Sequence, residues 1–126
     1  MRSVARMVGL AILTAAAVVM PAQASWADSF MCSSDGGHAC GQWYQDGDNW
    51  RLYDEACDGD YVYLVYKQSQ TKNDLSNGTR VERHGGCNTN LFINENFPEG
   101  AFVNWKVCQN VNLAPDNCSV IHRSTA

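Results

Sequence analysis

The sequence has few prolines, no internal repeat, no low-complexity stretch and no window in which apolar residues recur at spacings of three and four. Its three prolines are scattered, so no proline-rich linker divides the chain. The missing helical period excludes a fold built mainly from amphipathic helices. A length of 126 residues without a recognisable spacer suits one domain. We therefore expect a single domain in which strands predominate.

Long hydrophobic runs are also scarce, and the only one lies near the N-terminus. Arg2 and Arg6 precede a mainly apolar run of 13 residues from Val8 to Met20, and Pro21 and the triplet Ala22-Gln23-Ala24 follow it. This order is typical of a cleaved secretion signal, and the run is shorter than the roughly 20 residues that span a bilayer. We predict a signal peptide over residues 1–24 and a secreted, extracellular domain over residues 25–126.

Positive charge is scarce in the predicted mature domain. Seven Lys and Arg remain there against thirteen Asp and Glu, so the formal net charge is −6. No run of basic residues offsets this excess locally. Because an acidic surface repels phosphates and anionic head groups, we expect no nucleic-acid partner and no membrane partner after signal cleavage.

Motifs of the common hydrolases are missing. The sequence lacks the Gly-x-Ser-x-Gly elbow and the His-Glu-x-x-His motif. The acidic stretch from Asp46 to Asp60 does not follow the EF-hand pattern, because Trp50, Arg51 and Cys57 occupy positions that need a ligand or a glycine. We expect no catalysis, no cofactor and no metal site, with a weak calcium site in these loops as the alternative. A hydrolase would require a concave pocket containing a carboxylate of raised pKa in this stretch.

Cysteine is present in an even number, and all six cysteines follow the predicted signal peptide. In a short exported domain this predicts three disulfides. Many pairings are possible for six cysteines. In our preferred set each pair flanks turn residues or joins the ends of adjacent strands: Cys32–Cys40, Cys57–Cys87 and Cys108–Cys118. The main alternative pairs Cys40 with Cys57.

Short runs of β-branched and aromatic residues alternate with turn signals such as Asn77-Gly78 and Gly85-Gly86, which predicts about seven or eight strands. Residues 61–66 are apolar or aromatic at both alternating sets of positions, which predicts a central strand covered on both faces. Residues 101–108 alternate, which predicts a strand with one face in solvent. We expect an all-β fold, a single disulfide-stapled antiparallel β-sandwich.

Three further segments are predicted from their composition. Val120 and Ile121 indicate a short last strand. The segment from Gln109 to Asn117 contains Pro115 and several Asn, which predicts a chain reversal that brings Cys108 opposite Cys118. The stretch from Lys67 to Gly78 is polar throughout and is predicted to form an exposed connection.

Aromatic residues are concentrated in one predicted hairpin. Trp43, Tyr44, Trp50 and Tyr53 lie within eleven residues, and Arg51 lies among them. Because adjacent strand residues point to opposite faces, Trp43 and Tyr44 cannot both enter one core unless the hairpin is covered on both sides. Exposed aromatics on a small domain mark interaction surfaces. These five residues are the candidate binding site, and packing of both Trp43 and Tyr44 is the alternative.

A longer pattern covers most of the predicted mature domain. The motif Asp-x-x-x-Asp-Gly at residues 54–59 precedes a strand, and the segment His84-Gly85-Gly86-Cys87 and the pair Cys108 and Cys118 follow. This pattern resembles a group of uncharacterised small secreted proteins of actinobacteria. The resemblance implies a β-sandwich exported by a bacterium, and it implies no activity.

The hairpin is also similar to that of the tendamistat-type α-amylase inhibitors, in which a cysteine pair brackets an exposed Trp-Arg-Tyr triplet. Here Cys40 and Cys57 bracket Trp50, Arg51 and Tyr53, with Leu52 interrupting the triplet. The resemblance implies inhibition of a secreted hydrolase, with Trp50 and Arg51 exposed on a rigid turn.

The sequence therefore favours a secreted, non-catalytic binding module. We expect it to recognise an extracellular protein or a glycan through loops or exposed aromatics. An inhibitor of a secreted hydrolase and a structural extracellular protein are the alternatives.

Overall fold

The structure is a computed structural model that describes residues 28–126. The predicted signal peptide, residues 1–24, lies outside the described residues, as do residues 25–27 of the predicted mature domain. Within the described part of the chain, no helix is long and apolar enough to cross a membrane.

Nine β-strands are present in residues 28–126. Their bounds are β1 Ser29–Cys32, β2 Ala39–Tyr44, β3 Asn49–Asp54, β4 Val62–Gln68, β5 Thr79–Arg83, β6 Thr89–Asn94, β7 Phe102–Gln109, β8 Asn117–Cys118 and β9 His122–Thr125. The number exceeds the prediction because the C-terminal segment forms two short strands. The predicted last strand at Val120 and Ile121 is wrong, since these two residues connect β8 to β9.

The strands form two antiparallel sheets that pack face to face, which confirms the predicted all-β sandwich. The first sheet has the order β1-β2-β3-β6. The second has the order β5-β4-β7-β8, and β9 pairs with β7 beyond the end of the β8 pairing.

Three tryptophans fill the space between the sheets. Trp43 and Trp50 come from the first sheet and Trp105 from the second, and each is at most 1% exposed. The Trp50 ring centroid lies 4.5 Å from that of Trp43 and 6.5 Å from that of Trp105. The Trp105 indole Nε1 donates a hydrogen bond to the Ser124 hydroxyl at 2.9 Å. Large aromatic rings in this arrangement contribute most of the buried apolar area of a small core.

The prediction for residues 61–66 holds in β4, which lies between β5 and β7. Leu64 packs in the core, while Tyr63 is buried on the other face. The guanidinium of Arg80 covers the Tyr63 ring at 3.5 Å from its centroid.

The predicted solvent-exposed face of β7 is confirmed only in part: Phe102 is 38% exposed, but two other residues of this face are not. Asn104 and Cys108 lie on the outer side of this strand, and both are fully buried. The polar connection after β4 folds back over the strand, so the Asn104 amide donates hydrogen bonds to the carbonyls of Thr71 and Asp74 at 2.8 and 3.0 Å. Part of the predicted exposed connection therefore accepts the hydrogen bonds of the buried Asn104 amide nitrogen.

Three disulfides link the strands and loops, and they are the preferred pairs: Cys32–Cys40, Cys57–Cys87 and Cys108–Cys118. The first and third join residues that lie directly opposite each other on paired strands. The second joins the β3–β4 loop to the β5–β6 loop. Three such bonds indicate an oxidising environment.

Gly41 permits the closest approach between the two sheets. It lies on the inner face of β2, between Ala39 and Trp43 along that face. A methyl group at this position would lie 2.5 Å from Val107 Cγ1 and 3.2 Å from the Trp105 ring. The core therefore needs a residue without a side chain here.

We predict that Gly41→Ala destabilises the domain by about 1–3 kcal/mol, because the added methyl overpacks the core. Urea unfolding of the oxidised domain measures this loss. Val107→Ala removes the nearest contacting atom, so Gly41→Ala should cost less in its presence than alone. Additive losses in the double variant would contradict the steric explanation.

Candidate functional site

The outer face of the first sheet carries a band of aromatic and amide side chains. The strand register places Phe30, Gln42, Arg51 and Phe92 in one row across β1, β2, β3 and β6. We call the outward-pointing side chains of these strands, other than the disulfide cysteines, the aromatic face: Phe30, Gln42, Tyr44, Asn49, Arg51, Tyr53, Asn90, Phe92 and Asn94.

The two phenylalanines are the most exposed rings of the aromatic face. Phe30 is 58% exposed and Phe92 is 53% exposed. Tyr53 lies beside Phe30, with ring centroids 6.4 Å apart. Exposed rings on one face of a sheet form an apolar surface of the kind that soluble domains use for binding.

Polar groups contact the two tyrosines of the aromatic face. The Tyr44 hydroxyl donates to Gln42 Oε1 at 2.7 Å, and the Tyr53 hydroxyl donates to the same oxygen at 3.4 Å. The Arg51 guanidinium carbon lies 5.9 Å from the Tyr44 ring centroid. Beside this pair is a shallow depression of about 230 Å³, lined by Tyr44, Asp46, Asn49, Arg51 and Phe92.

The charge of the aromatic face differs from that of the whole chain. Arg51 is its only charged member, and four of its members are amides, although the chain has thirteen Asp and Glu. Amide side chains both donate and accept hydrogen bonds. The face can therefore pair with a neutral polar ligand while its rings contact apolar surface.

The structure separates the five predicted binding residues into two groups. Tyr44, Arg51 and Tyr53 lie on the aromatic face, with Arg51 exposed and the two tyrosines half-buried. Trp43 and Trp50 belong to the core, so their prediction as accessible binding residues is wrong. The physical reason is strand alternation, since the side chain before Tyr44 and the one before Arg51 must point inward.

Sequence reasoning missed Phe30 and Phe92. Both belong to strands in which apolar residues occupy both alternating sets, with Met31, Leu91 and Ile93 as their neighbours. Period-two alternation indicates that Phe30 and Met31 differ in direction, but it does not say which one faces the core. The pairing register with β2 and β3 decides this.

The outer face of the second sheet is, by contrast, closed by its own contacts. Arg80 lies over the Tyr63 ring and donates to the Tyr61 hydroxyl at 3.0 Å and to Glu82 at 2.9 Å. The Tyr63 hydroxyl donates to Asp116 at 2.5 Å, and burial together with this carboxylate raises the pKa of Tyr63 to about 12. These groups already have partners, so this network stabilises the sheet.

A second feature is a pocket of about 180 Å³ at one end of the sandwich, which we call the Asp54 pocket. It is lined by Asp54, Ala56, Gly59, Asp60, Tyr61, His84, Gly86 and Cys87. The Cys57–Cys87 disulfide therefore borders it. The pocket lies between the β3–β4 loop and the β5–β6 loop.

Asp54 is the buried acid of this pocket, with 1% of its surface exposed. Its Oδ1 accepts a hydrogen bond from the Ala56 amide at 3.2 Å, whereas its Oδ2 has no hydrogen-bond partner among residues 28–126. Burial raises the pKa of Asp54, and the charges of Asp58 and Glu55 raise it further. The Ala56 hydrogen bond and Arg83 act in the opposite direction.

The Asp54 pocket meets the condition stated for a hydrolase, since it is concave and contains a carboxylate of raised pKa between Asp46 and Asp60. The accessible area of Oδ2 is below 1 Å², so a bound substrate could not reach this oxygen without movement of the pocket wall. Sequence alternation could have identified Asp54, because Trp50, Leu52 and Asp54 share one side of β3.

The acidic stretch as a whole does not converge on one point. Across residues 28–126, no group of three or more His, Cys, Asp and Glu side chains is placed to hold a metal ion. Asp58 Oδ1 instead accepts a hydrogen bond from the Asp60 amide at 3.1 Å, as expected of a turn residue.

Comparison with family models, curated proteins and solved structures found no match. The two resemblances described from the sequence therefore stay predictions.

We predict that Asp54→Asn stabilises the domain at pH 7. The pKa of Asp54 is higher in the folded state than in the unfolded state. Asp54 therefore makes its full contribution to stability below the unfolded pKa of about 3.9, and this contribution is lost as the pH rises through the folded pKa. Asparagine keeps the Oδ1 acceptor and cannot ionise. Urea unfolding at pH 7 should give a higher free energy of unfolding for the variant than for the wild type, and this difference should be smaller at pH 4.

Glu99→Gln is the matched control for this experiment, because Glu99 is an exposed carboxylate outside the pocket. The stability of the Glu99→Gln variant relative to the wild type should change little between pH 7 and pH 4. An Asp54→Asn variant that is less stable than the wild type at pH 7 would show that the ionised carboxylate stabilises the fold.

Proposed function

We propose that this protein is a secreted, non-catalytic binding module that recognises a neutral glycan through the aromatic face. The observation that carries the proposal is an exposed sheet surface with aromatic rings, amides and a single charge, on a chain that is otherwise acidic. Export through the predicted signal peptide agrees with the three disulfides.

The chemistry of the aromatic face suits sugars. The rings of Phe30 and Phe92 are exposed and can stack on the apolar C–H faces of sugar rings. Gln42 and the three asparagines can each donate to and accept from hydroxyl groups. The strands of this face carry no outward-pointing carboxylate, and Asp46 lines only the depression beside them, which favours a neutral ligand over a cationic one.

The size of the face favours an oligosaccharide over a single sugar. Phe30 and Phe92 lie on β1 and β6, which are the two edges of a four-stranded sheet. Three strand spacings separate them, about 14 Å. Several sugar units can therefore contact the face at once.

Part of the face is held by internal contacts before binding. The Cys32–Cys40 disulfide lies on this side of the sheet and joins β1 to β2. The Tyr44 and Tyr53 hydroxyls are both held by Gln42. Groups that are already ordered lose less conformational entropy on binding.

An inhibitor would have to use a different surface from the one that the tendamistat resemblance implies. The tendamistat resemblance implies an exposed Trp50, and Trp50 is fully buried. Arg51 and Tyr53 remain on the aromatic face, so a protein partner would have to bind the sheet surface and not the tip of the hairpin. Inhibition of α-amylase is therefore one arm of the test.

We predict that Phe30→Ala and Phe92→Ala each weaken glycan binding by about tenfold or more, as expected when an anchoring ring is removed. The measurement uses the oxidised domain with cellulose, chitin and soluble xylan, together with α-amylase inhibition. Leu113→Ala is the control, because Leu113 is fully exposed outside this face and should leave binding unchanged.

Three outcomes can be distinguished. Glycan binding that depends on both phenylalanines and not on Leu113 supports the proposal. α-Amylase inhibition without glycan binding favours the inhibitor, and no binding to any of these probes contradicts recognition of the polymers tested. Trp50→Ala is unsuitable here, because loss of this buried ring should cost about 3–5 kcal/mol of stability.

A further inference from the structure

The strand β6 is an unpaired edge of the first sheet. It pairs with β3 on one side, and no other strand in residues 28–126 pairs with it. Natural sheets protect such edges with charged side chains, proline, bulges or short strands, because unpaired N–H and C=O groups bind further strands. The edge strand β5 of the second sheet has this protection, since three of its five residues are charged.

β6 has none of these protective features. None of its six residues is charged, and none is proline. All six pair with consecutive residues of β3, so the strand contains no bulge. The opposite edge, β1, is also uncharged but has only four residues. β6 is therefore the longest unprotected edge in the described part of the chain.

Three residues of β6 direct their main-chain groups away from β3. The Glu95 amide donates to the Asp48 carbonyl at 3.1 Å, so these two residues form a hydrogen-bonded pair just beyond the end of the ladder. Such pairs alternate along antiparallel strands, and the N–H and C=O groups of Asn90, Phe92 and Asn94 therefore face outward. Within residues 28–126, no strand or loop hydrogen bonds to these groups.

The outward main-chain groups are complementary to those of a second copy of the chain. When two β6 strands pair antiparallel about Phe92, this residue lies opposite Phe92 of the other copy, and Asn90 lies opposite Asn94 at both ends. All three outward residues of each copy then exchange N–H···O bonds with a partner residue. No outward group of either strand is left unpaired.

The side chains of two β6 strands are compatible in this arrangement. On the outer side phenylalanine faces phenylalanine and asparagine faces asparagine, and both kinds of pair interact favourably across strands. On the inner side Leu91 lies opposite Ile93 of the other copy, and both residues contact the apolar interior. Pairing therefore extends the core as well as the sheet.

Charge does not oppose this pairing, although the chain as a whole is acidic. β6 carries no charged side chain, so no like charges face each other between the two strands. The charged member of the aromatic face, Arg51, lies on β3. The two copies of Arg51 are three strand spacings apart, about 14 Å, which exceeds the screening length of about 8 Å at physiological ionic strength.

We propose that two copies of this protein pair through β6 and form a dimer with one continuous eight-stranded sheet. The row of side chains from Phe30 to Phe92 then continues into the other copy, so the dimer presents two aromatic faces side by side. Pairing is measured without any glycan, and it does not depend on the proposed function. Either proposal can fail alone.

The first measurement is sedimentation equilibrium of the oxidised, secreted protein expressed from the full sequence, from low micromolar to near-millimolar concentration. A single strand pair buries less than the roughly 1,200 Å² of stable complexes, so we expect a reversible dimer. The average mass should rise with concentration toward twice the monomer mass. A monomer at every concentration would overturn the proposal.

Hydrogen exchange followed by NMR locates the pairing. The amides of Leu91 and Ile93 are protected by β3 in the monomer, whereas those of Asn90, Phe92 and Asn94 become protected only in the dimer. Exchange of these three should slow about tenfold when about nine in ten chains are paired, because it then proceeds from the remaining monomer. Dimerisation without this alternating protection would contradict pairing through β6.

Charge substitutions test the register. Asn90→Lys combined with Asn94→Lys places like charges opposite each other at both ends of the strand pair and should weaken dimerisation by about tenfold. Asn90→Lys combined with Asn94→Asp places opposite charges there and should restore dimerisation. Gln70→Lys combined with Asn112→Lys is the matched control, because both residues are exposed outside the first sheet. This control adds the same charge as the first pair and should not weaken dimerisation.

A second variant keeps the test usable if the lysine substitutions prevent folding. Phe92→Pro removes an outward N–H group and no hydrogen bond to β3, and edge strands tolerate proline at such positions. It should also weaken dimerisation. A dimer that survives in both variants, or one that opposite charges fail to restore, would show association through another surface and overturn the proposal.

Discussion

The contact of three indole rings between two sheets is the constraint on which the rest of this molecule depends. Trp43, Trp50 and Trp105 occupy the sandwich interior, and Trp50 contacts rings from both sheets. The rings fit because Gly41 presents no side chain to Trp105 and Val107. In a domain of this size a single small core supplies most of the hydrophobic stabilisation, and the three disulfides supplement it.

The buried tryptophans also determine what the outer surface carries. Because side chains alternate along a strand, burying Trp43 directs Tyr44 outward, and burying Trp50 directs Arg51 outward. The same alternation takes Asp54 into the interior at the end of β3, where it lines a pocket. The two candidate sites lie on opposite sides of β3, and both therefore follow from the burial of the tryptophans.

The two outer faces of the sandwich differ in how far their aromatic side chains are covered. On the second sheet, the Arg80 guanidinium covers the Tyr63 ring, and the Tyr63 hydroxyl donates a hydrogen bond to Asp116. On the first sheet, Phe30 and Phe92 stay more than half exposed. An apolar surface that the fold does not cover is available to a ligand, whereas a network that is complete in itself contributes stability.

The sequence by itself determined the all-β class and the central position of β4, because alternation and turn residues are local signals. It favoured the three cysteine pairs but left Cys40–Cys57 open, and the tertiary structure decided between them. The tertiary structure alone decided which face of each strand is inside. Alternation shows that Trp50 and Arg51 point apart, but only strand register and sheet pairing turn Trp50 inward and bring Phe30 and Phe92 into one row with Arg51. The burial of Asn104 has the same origin. It depends on a segment distant in sequence, which no local pattern reports.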